Sequence, residues 1–396
     1  MSVIPAPMRR KTRAESDLEA AFEAAADRLP GDFAERAAAF AHFTASGLPH
    51  RRIEAYHFTD LRTLMATTPA PAEAAGTRMV AAGPFAAIDA ARAVFVDGFF
   101  VAELSDLSGL GDGVTVSTVA DGLASGEGLA GLGARLAARG TVESDPLVAL
   151  AATFFTDGLL IDIAPGATAA RPLVVRHVSS GKAVAAFVRH AVTVGAGAAL
   201  ELIESHESAD GVDFHAHTLT ELTVGAAARV TWLDHQRLGD ASARFSTLAV
   251  ALDAGAAVDH TVATLGARLA RTQVFATLGD TVDFQTRGAT LVRGRGHADA
   301  TLVVEHTGPG GVSRELYKSA VDGEGRSVFQ GRIAVERAAQ HTDGRMGAHS
   351  VLLSDRAEAM AKPELEIFAD DVACAHGATV AEIDDTLKFY LMSRGI

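Results

Sequence analysis

The segments PGATAARPLVV (165–175), VGAGAALELIE (194–204), VGAAARVTWLD (224–234) and LDAGAAVDHTV (252–262) share one design: a turn of small residues followed by alternating apolar positions. Gly166, Gly195, Gly225 and Gly255 succeed one another at intervals of 29, 30 and 30 residues, and Gly279 comes 24 further on. Short strands and tight turns recurring at this length are the mark of a solenoid, in which each unit buries its apolar face only by stacking on the next. Leu200 with Leu202, and Val230 with Trp232, alternate as strand residues do. No helical stripe separates the segments, so a β-helix fits better than a leucine-rich or helical repeat. Val, Leu and Ala are then expected to line a narrow interior while charged residues face water. A β-sandwich is the competing architecture, and the even glycine interval favours the solenoid.

Outward from the repeat the periodicity changes. Leu18, Phe22, Ala25 and Leu29 recur on one helical face, Pro30-Gly31 breaks it, and Phe33, Ala37 and Phe40 begin a second. Residues 66–88, rich in Ala, Pro and Gly, read as a linker. In AVFVDGFFVAEL (93–104) a central Asp97-Gly98 between β-branched and aromatic residues predicts a hairpin. The expected fold is mainly β. A helical region (1–65) and the linker precede a β-helix core over 89–380, which carries a helical insertion around 120–155, and 381–396 form a short C-terminal segment.

Composition narrows the function. The net charge of −14 over 396 residues argues against a nucleic-acid binder, which needs clustered Lys and Arg. No run of about 18 apolar residues suggests a membrane span, and the N-terminus lacks the apolar core of a secretory signal. One cysteine precludes an internal disulfide and fits a reducing cytoplasm. One Trp and three Tyr against 38 Gly suit narrow layers and frequent turns.

Several chemistries are absent as motifs. There is no GxxxxGK[ST], so no bound nucleotide is expected, and no GxSxG elbow. His215 and His217 share one face of a strand, where solvent exposure on an outer β-face explains them at least as well as metal binding. His306, His341 and His349 read as surface or turn residues. Asp370-Asp371 resemble a glycosidase carboxylate pair, but neighbours in a strand point to opposite faces, so a turn or strand-end role is expected.

The lone Cys374 stands two residues before His376. A thiolate and an imidazole suit a soft or borderline metal, yet one sulfur cannot supply the cysteine set of an iron–sulfur cluster. Further ligands would come from distant residues or a second chain. Leu365, Ile367 and Ala369 form an apolar face that places Cys374 and His376 outward, unless a turn at the two aspartates reverses the parity. Taken alone, the tripeptide reads as a buried small hydrophobe beside a hydrogen-bonded histidine.

KPELEIFADDVACAHGATV (362–380), running on into EIDDTLKFYLMSRGI, resembles the C-terminal signature of the SufB/SufD family of iron–sulfur cluster assembly proteins, on its SufD side. GLPHRRIEAYHFTDL (47–61), FVDGFFVAELSDL (95–107), TDGLLIDIAPG (156–166), VFQGRIAVERAAQHTDG (328–344) and VLLSDRAEAMAKPELEI (351–367) extend the resemblance in order. It implies a right-handed parallel β-helix and a non-enzymatic scaffold subunit, paired with SufB and acting with the ATPase SufC. It further implies that His376, with Cys374, contributes to a transient iron–sulfur cluster or iron site at the subunit interface. Family members continue past the position of Ile396 with helices that dock SufC, so that helical segment is expected to be absent and the docking of SufC is left open. Without its partner such a chain is expected to be able to form a homodimer. The rival readings are a carbohydrate-active β-helix enzyme and a purely structural, self-associating solenoid.

Overall fold

The structure is a computed structural model that describes residues 10–25, 28–74, 80–124, 145–382 and 384–395. Its core is two long sheets that receive strands in alternation. The first sheet holds Ala91–Val96 (β1), Phe99–Phe100 (β2), Leu173–Val178 (β5), Ala199–Glu207 (β7), Arg229–Arg237 (β9), Ala257–Thr264 (β11), Asp283–Val292 (β13), Val312–Val321 (β15), Asp343–Leu352 (β17) and Ala373–Glu382 (β19). The second holds Val114–Thr118 (β3), Leu159–Ile163 (β4), Ala185–Val194 (β6), His215–Val224 (β8), Ala243–Leu252 (β10), Leu269–Leu278 (β12), His297–His306 (β14), Arg326–Val335 (β16) and Glu358–Ile367 (β18). Apart from the β1–β2 and β3–β4 pairs the strands run parallel. This is the β-solenoid that the repeat predicts, not a sandwich. Leu202 pairs with Trp232 and Leu200 with Val230, all four buried in the shared interior.

The repeat is real, but its structural register differs from the glycine interval. Gly166, Gly197, Ala227, Gly255, Thr281, Gly310 and His341 occupy the same corner of successive coils, each with positive φ. The N–H of each donates to a carbonyl of the following coil: Gly166 to Ala196, Gly197 to Ala226, Ala227 to Ala254, Gly255 to Asp280, Thr281 to Pro309, Gly310 to Gln340 and His341 to Asp371. Gly195, Gly225 and Gly279 form a different column of the same turn. There the chain leaves a strand so close to the previous coil that a Cβ would lie 2.6–2.8 Å from its backbone. The even interval in the sequence therefore mixes two columns, one needing a left-handed backbone and one needing close approach.

The Asp97-Gly98 hairpin forms as expected, with positive φ at both turn residues. Helices Arg13–Ala25 (α1), Phe33–Ser46 (α2) and Pro146–Phe154 (α5) lie with the short helices Leu61–Leu64 (α3) and Val119–Ala124 (α4) against the outward face of the second sheet. Phe22 stacks on Phe40 at 4.3 Å, and Phe154 meets Phe187 of β6 at 5.1 Å. Asp145 caps α5 through the Leu147 N–H and also accepts from the Tyr56 hydroxyl and the Gln273 amide, both at 2.8 Å. Residues 125–144 of the expected helical insertion lie outside the described residues. In the 66–88 stretch, Ala72 donates to the Ala185 carbonyl at 2.8 Å, which ties that segment to the edge of β6. Helix Asp385–Ser393 (α6) closes the chain. Among the described residues no helix is long and apolar enough to cross a membrane.

Candidate metal-ligating sites

Among the described residues strand β19 is an edge strand, paired to β17, with Gly344 opposite Cys374 and Met346 opposite His376. The turn containing Asp370 and Asp371 reverses the parity left by Leu365, so both donors face the solenoid interior rather than outward. Cys374 packs half-buried against the core near Gly344, and His376 is exposed, with no coil over it among the described residues. The column beneath His376 runs through Met346, Glu315, Thr286, His260 and Trp232, each paired with the next and each buried. Burial raises the Cys374 thiol above its ordinary value, and the carboxylates of Asp343 and Glu315 add to this against a hydrogen bond to the Gly344 backbone. The thiol is accordingly protonated at neutral pH, and binding a metal there means losing that proton.

Glu315 was not anticipated. Its carboxyl is buried, and burial pushes its pKa up to about 8 against the opposing influence of Ser313 and Arg314. A neutral carboxyl thus sits two strands below His376, in the same column.

The histidines singled out in the sequence fare differently. His215 and His217 do face outward from β8, but they are buried beneath the helical region, not solvated. His217 is sandwiched between Phe187 at 4.3 Å and Phe245 at 4.7 Å on the neighbouring strands, a packing role. Burial lowers the pKa of both, so they are neutral rings. His306 is a correction as well: it is fully buried at the end of β14, with Nε2 3.0 Å from the Ser313 hydroxyl. His341 is the exposed corner residue of its coil and its ring lies 2.9 Å from Asp371, while His349 is exposed on β17. Asp370 and Asp371 lie on an exposed turn, as expected, with Asp371 engaged by His341 rather than converging with Asp370.

Sequence reasoning missed a second donor group inside the solenoid. His177 of β5 and Glu204 and His206 of β7 are all buried, and one donor atom from each lies within 4.8 Å of the others. His206 Nε2 is 2.9 Å from Glu204 Oε1 and His177 Nε2 is 3.3 Å from the same oxygen. The two rings stack at 4.5 Å, 9° from parallel. Burial, reinforced by the Arg244 charge, holds His206 down to about 4. Burial also works against the Glu204 charge, but the two imidazoles outweigh it and keep the carboxyl ionised. The group therefore has the composition and spacing to hold a metal. The signal was present in LELIESHE, where the inward parity of Leu200 and Leu202 continues to Glu204 and His206.

Fold and side chains together define a parallel β-solenoid protein with candidate metal donors inside the stack and on its last described coil. Comparison with known proteins places it more narrowly. Residues 177–396 match the SUF system FeS cluster assembly, SufBD core domain, and residues 32–175 match the SufBD protein N-terminal region. The iron–sulfur cluster assembly protein SufD of Escherichia coli is 30% identical over 89% of this chain and 81% of its own length. An iron–sulfur cluster assembly SufBD family protein of Synechocystis is 29% identical over 88% of this chain and 79% of its own. A chloroplastic protein of Arabidopsis thaliana, ABCI7, is 41% identical over 24% of this chain and 20% of its own. The chain belongs to the SufB/SufD family of iron–sulfur cluster assembly proteins.

Proposed function

We propose that this chain is a non-catalytic, cytoplasmic scaffold subunit on which an iron–sulfur cluster is assembled at a junction with a second subunit, His376 and Cys374 supplying ligands. The observation that carries the reading is the position of the two donors: they share the interior face of β19, with which no further strand pairs among the described residues. A single cysteine and one adjacent imidazole leave coordination positions for another chain to fill. The end of the solenoid supports a partner. Strands β18 and β19 present free edges, and Ile367, Phe368, Leu387, Phe389 and Met392 are large apolar side chains left exposed there. A SufB-like subunit with a matching sheet edge fits this surface, and a SufC-like ATPase would act on the pair. A homodimer through the same surface is the alternative when the partner is missing. The carbohydrate-enzyme reading has no converging carboxylates at Asp370 and Asp371 to support it.

The test is anaerobic loading with ferrous iron and sulfide of the complex obtained by co-expression with a SufB-like partner, read by visible absorption and by bound iron and sulfide. His376→Ala is expected to lower cluster yield several-fold while leaving the complex intact on size exclusion. Full assembly by that variant refutes the assignment.

A further inference from the structure

We propose that His177, Glu204 and His206 form a resident binding site for one borderline divalent cation of the Zn²⁺ or Fe²⁺ class, enclosed in the solenoid and separate from the terminal coil. The two imidazoles converge on a single carboxylate oxygen, Glu204 Oε1. His206 Nε2 hydrogen-bonds it at 2.9 Å, whereas His177 Nε2, at 3.3 Å, has no hydrogen-bond partner among the described residues. One carboxylate between two stacked imidazoles leaves one ring nitrogen aimed at an oxygen it does not properly engage. A cation between the three resolves this. With metal–nitrogen and metal–oxygen distances of about 2.0–2.2 Å, ligand atoms around a tetrahedral centre stand roughly 3.4 Å apart; the two nitrogen–oxygen separations are 2.9 and 3.3 Å, the three donors lie within 4.8 Å of one another, and the stacked rings would turn to bring both nitrogens onto the ion.

Charge points the same way. A carboxyl group enclosed with two imidazoles inside the solenoid offers a place for a compensating cation. Arg244, whose field reaches His206, already places Nη2 2.7 Å from both oxygens of Asp234. Two imidazoles and one carboxylate suit zinc with an open fourth position, or ferrous iron with several. His190, buried 5.4 Å from His177 between ring centroids, accepts the Leu159 N–H on Nδ1. Its Nε2 then carries the proton, and among the described residues that donor has no partner. Because the group is enclosed, the cation enters as the chain folds rather than by later exchange.

The test uses the full chain carrying Cys374→Ala and His376→Ala, so that the terminal coil contributes no metal. The chain is expressed in medium supplemented with zinc, or anaerobically with ferrous iron, desalted, and its metal measured by mass spectrometry. About one equivalent of cation is expected, with the two media showing which ion is held. Glu204→Gln preserves the shape and is expected to lower retained metal at least roughly ten-fold. Refolding the unfolded chain with Co²⁺ is expected to give tetrahedral d–d absorption bands and a higher melting temperature than refolding without it. This arm does not depend on the variant folding. A chain that holds no metal from either medium and gives no such spectrum on refolding overturns the proposal. So does metal content unchanged by Glu204→Gln.

Discussion

Asp299→Ala probes how the helical region is fastened to the solenoid. The Asp299 carboxylate is completely buried on the outward face of β14. It accepts from the guanidinium of Arg271 on β12, from the Thr59 hydroxyl on the segment before α3, and from Thr301 at 2.9 Å. Arg271 is equally buried, lies 3.9 Å over the Tyr56 ring and donates to the Ala55 carbonyl at 2.9 Å. Burial disfavours the guanidinium charge, but Asp299, Tyr56 and Asp145 outweigh this and raise its pKa. Arg271 stays charged in the variant, so removing Asp299 leaves a buried cation without its counter-ion, a change that costs about 3–5 kcal/mol. The surviving bond to Ala55 and the ring contact favour the lower end.

Unfolding entropy is about 2.1 cal/mol/K per residue, so a chain of 396 residues melts about 4–6 °C lower. Thermal unfolding followed by circular dichroism measures this. Hydrogen exchange should show residues 48–65 losing protection before the strands do. Arg271→Met combined with Asp299→Leu removes both charges and is expected to recover most of the loss. A melting point within about 1 °C of the parent for Asp299→Ala, or a double variant no better than the single one, would refute the reasoning.

Glu315→Gln tests the buried carboxyl: the folded chain holds a proton up to about pH 8 that the unfolded chain releases near its ordinary value of about 4.3. Stability of the parent should therefore fall across that window as pH rises, by an amount on the order of 5 kcal/mol. The glutamine variant should match the parent near pH 4 and exceed it near pH 9 in urea melts, and a difference independent of pH would contradict the assignment. For Cys374, a pKa above the ordinary thiol value predicts slow alkylation by iodoacetamide at pH 7, accelerating as pH rises beyond 9. Alkylation at pH 7 as fast as that of a free thiol would show that the thiolate is not suppressed.

What the sequence disclosed follows from where each constraint lies along the chain. Small-residue corners and the alternation of Leu200, Leu202, Val230 and Trp232 are local, and they sufficed for the solenoid. The corner column was misaligned because Ala227, Thr281 and His341 adopt the left-handed backbone that glycine usually marks. His215 and His217 were placed on the right face and given the wrong environment. Their burial comes from helices remote in sequence, attached through Tyr56, Thr59 and Asp145, and no periodicity records that docking. Glu204, His206 and Glu315 were missed for the opposite reason. Alternation assigns them inward, but their polarity suggested the outer face, and a solenoid interior that contains polar groups breaks the rule by which interiors are usually read.

The exposure of His376 is a property of its position, not of its type. Along its own column Met346, one coil earlier, is 3% exposed, and Glu315 and Thr286 are buried in turn. Each is covered by its successor, as each left-handed corner N–H is satisfied by the next coil until His341 donates to Asp371. Among the described residues no strand pairs with the free edge of β19. Among the described residues, His376 on this coil is thus an interior-facing side chain that is reachable without unfolding. Donors placed earlier, such as His177 and Glu204, are sealed by the same stacking that buries the core. A ligand exchanged with another molecule belongs at the open end, and a cation kept for the life of the fold belongs inside. The chain carries a donor set in each place, and the stacking that builds the solenoid separates the two.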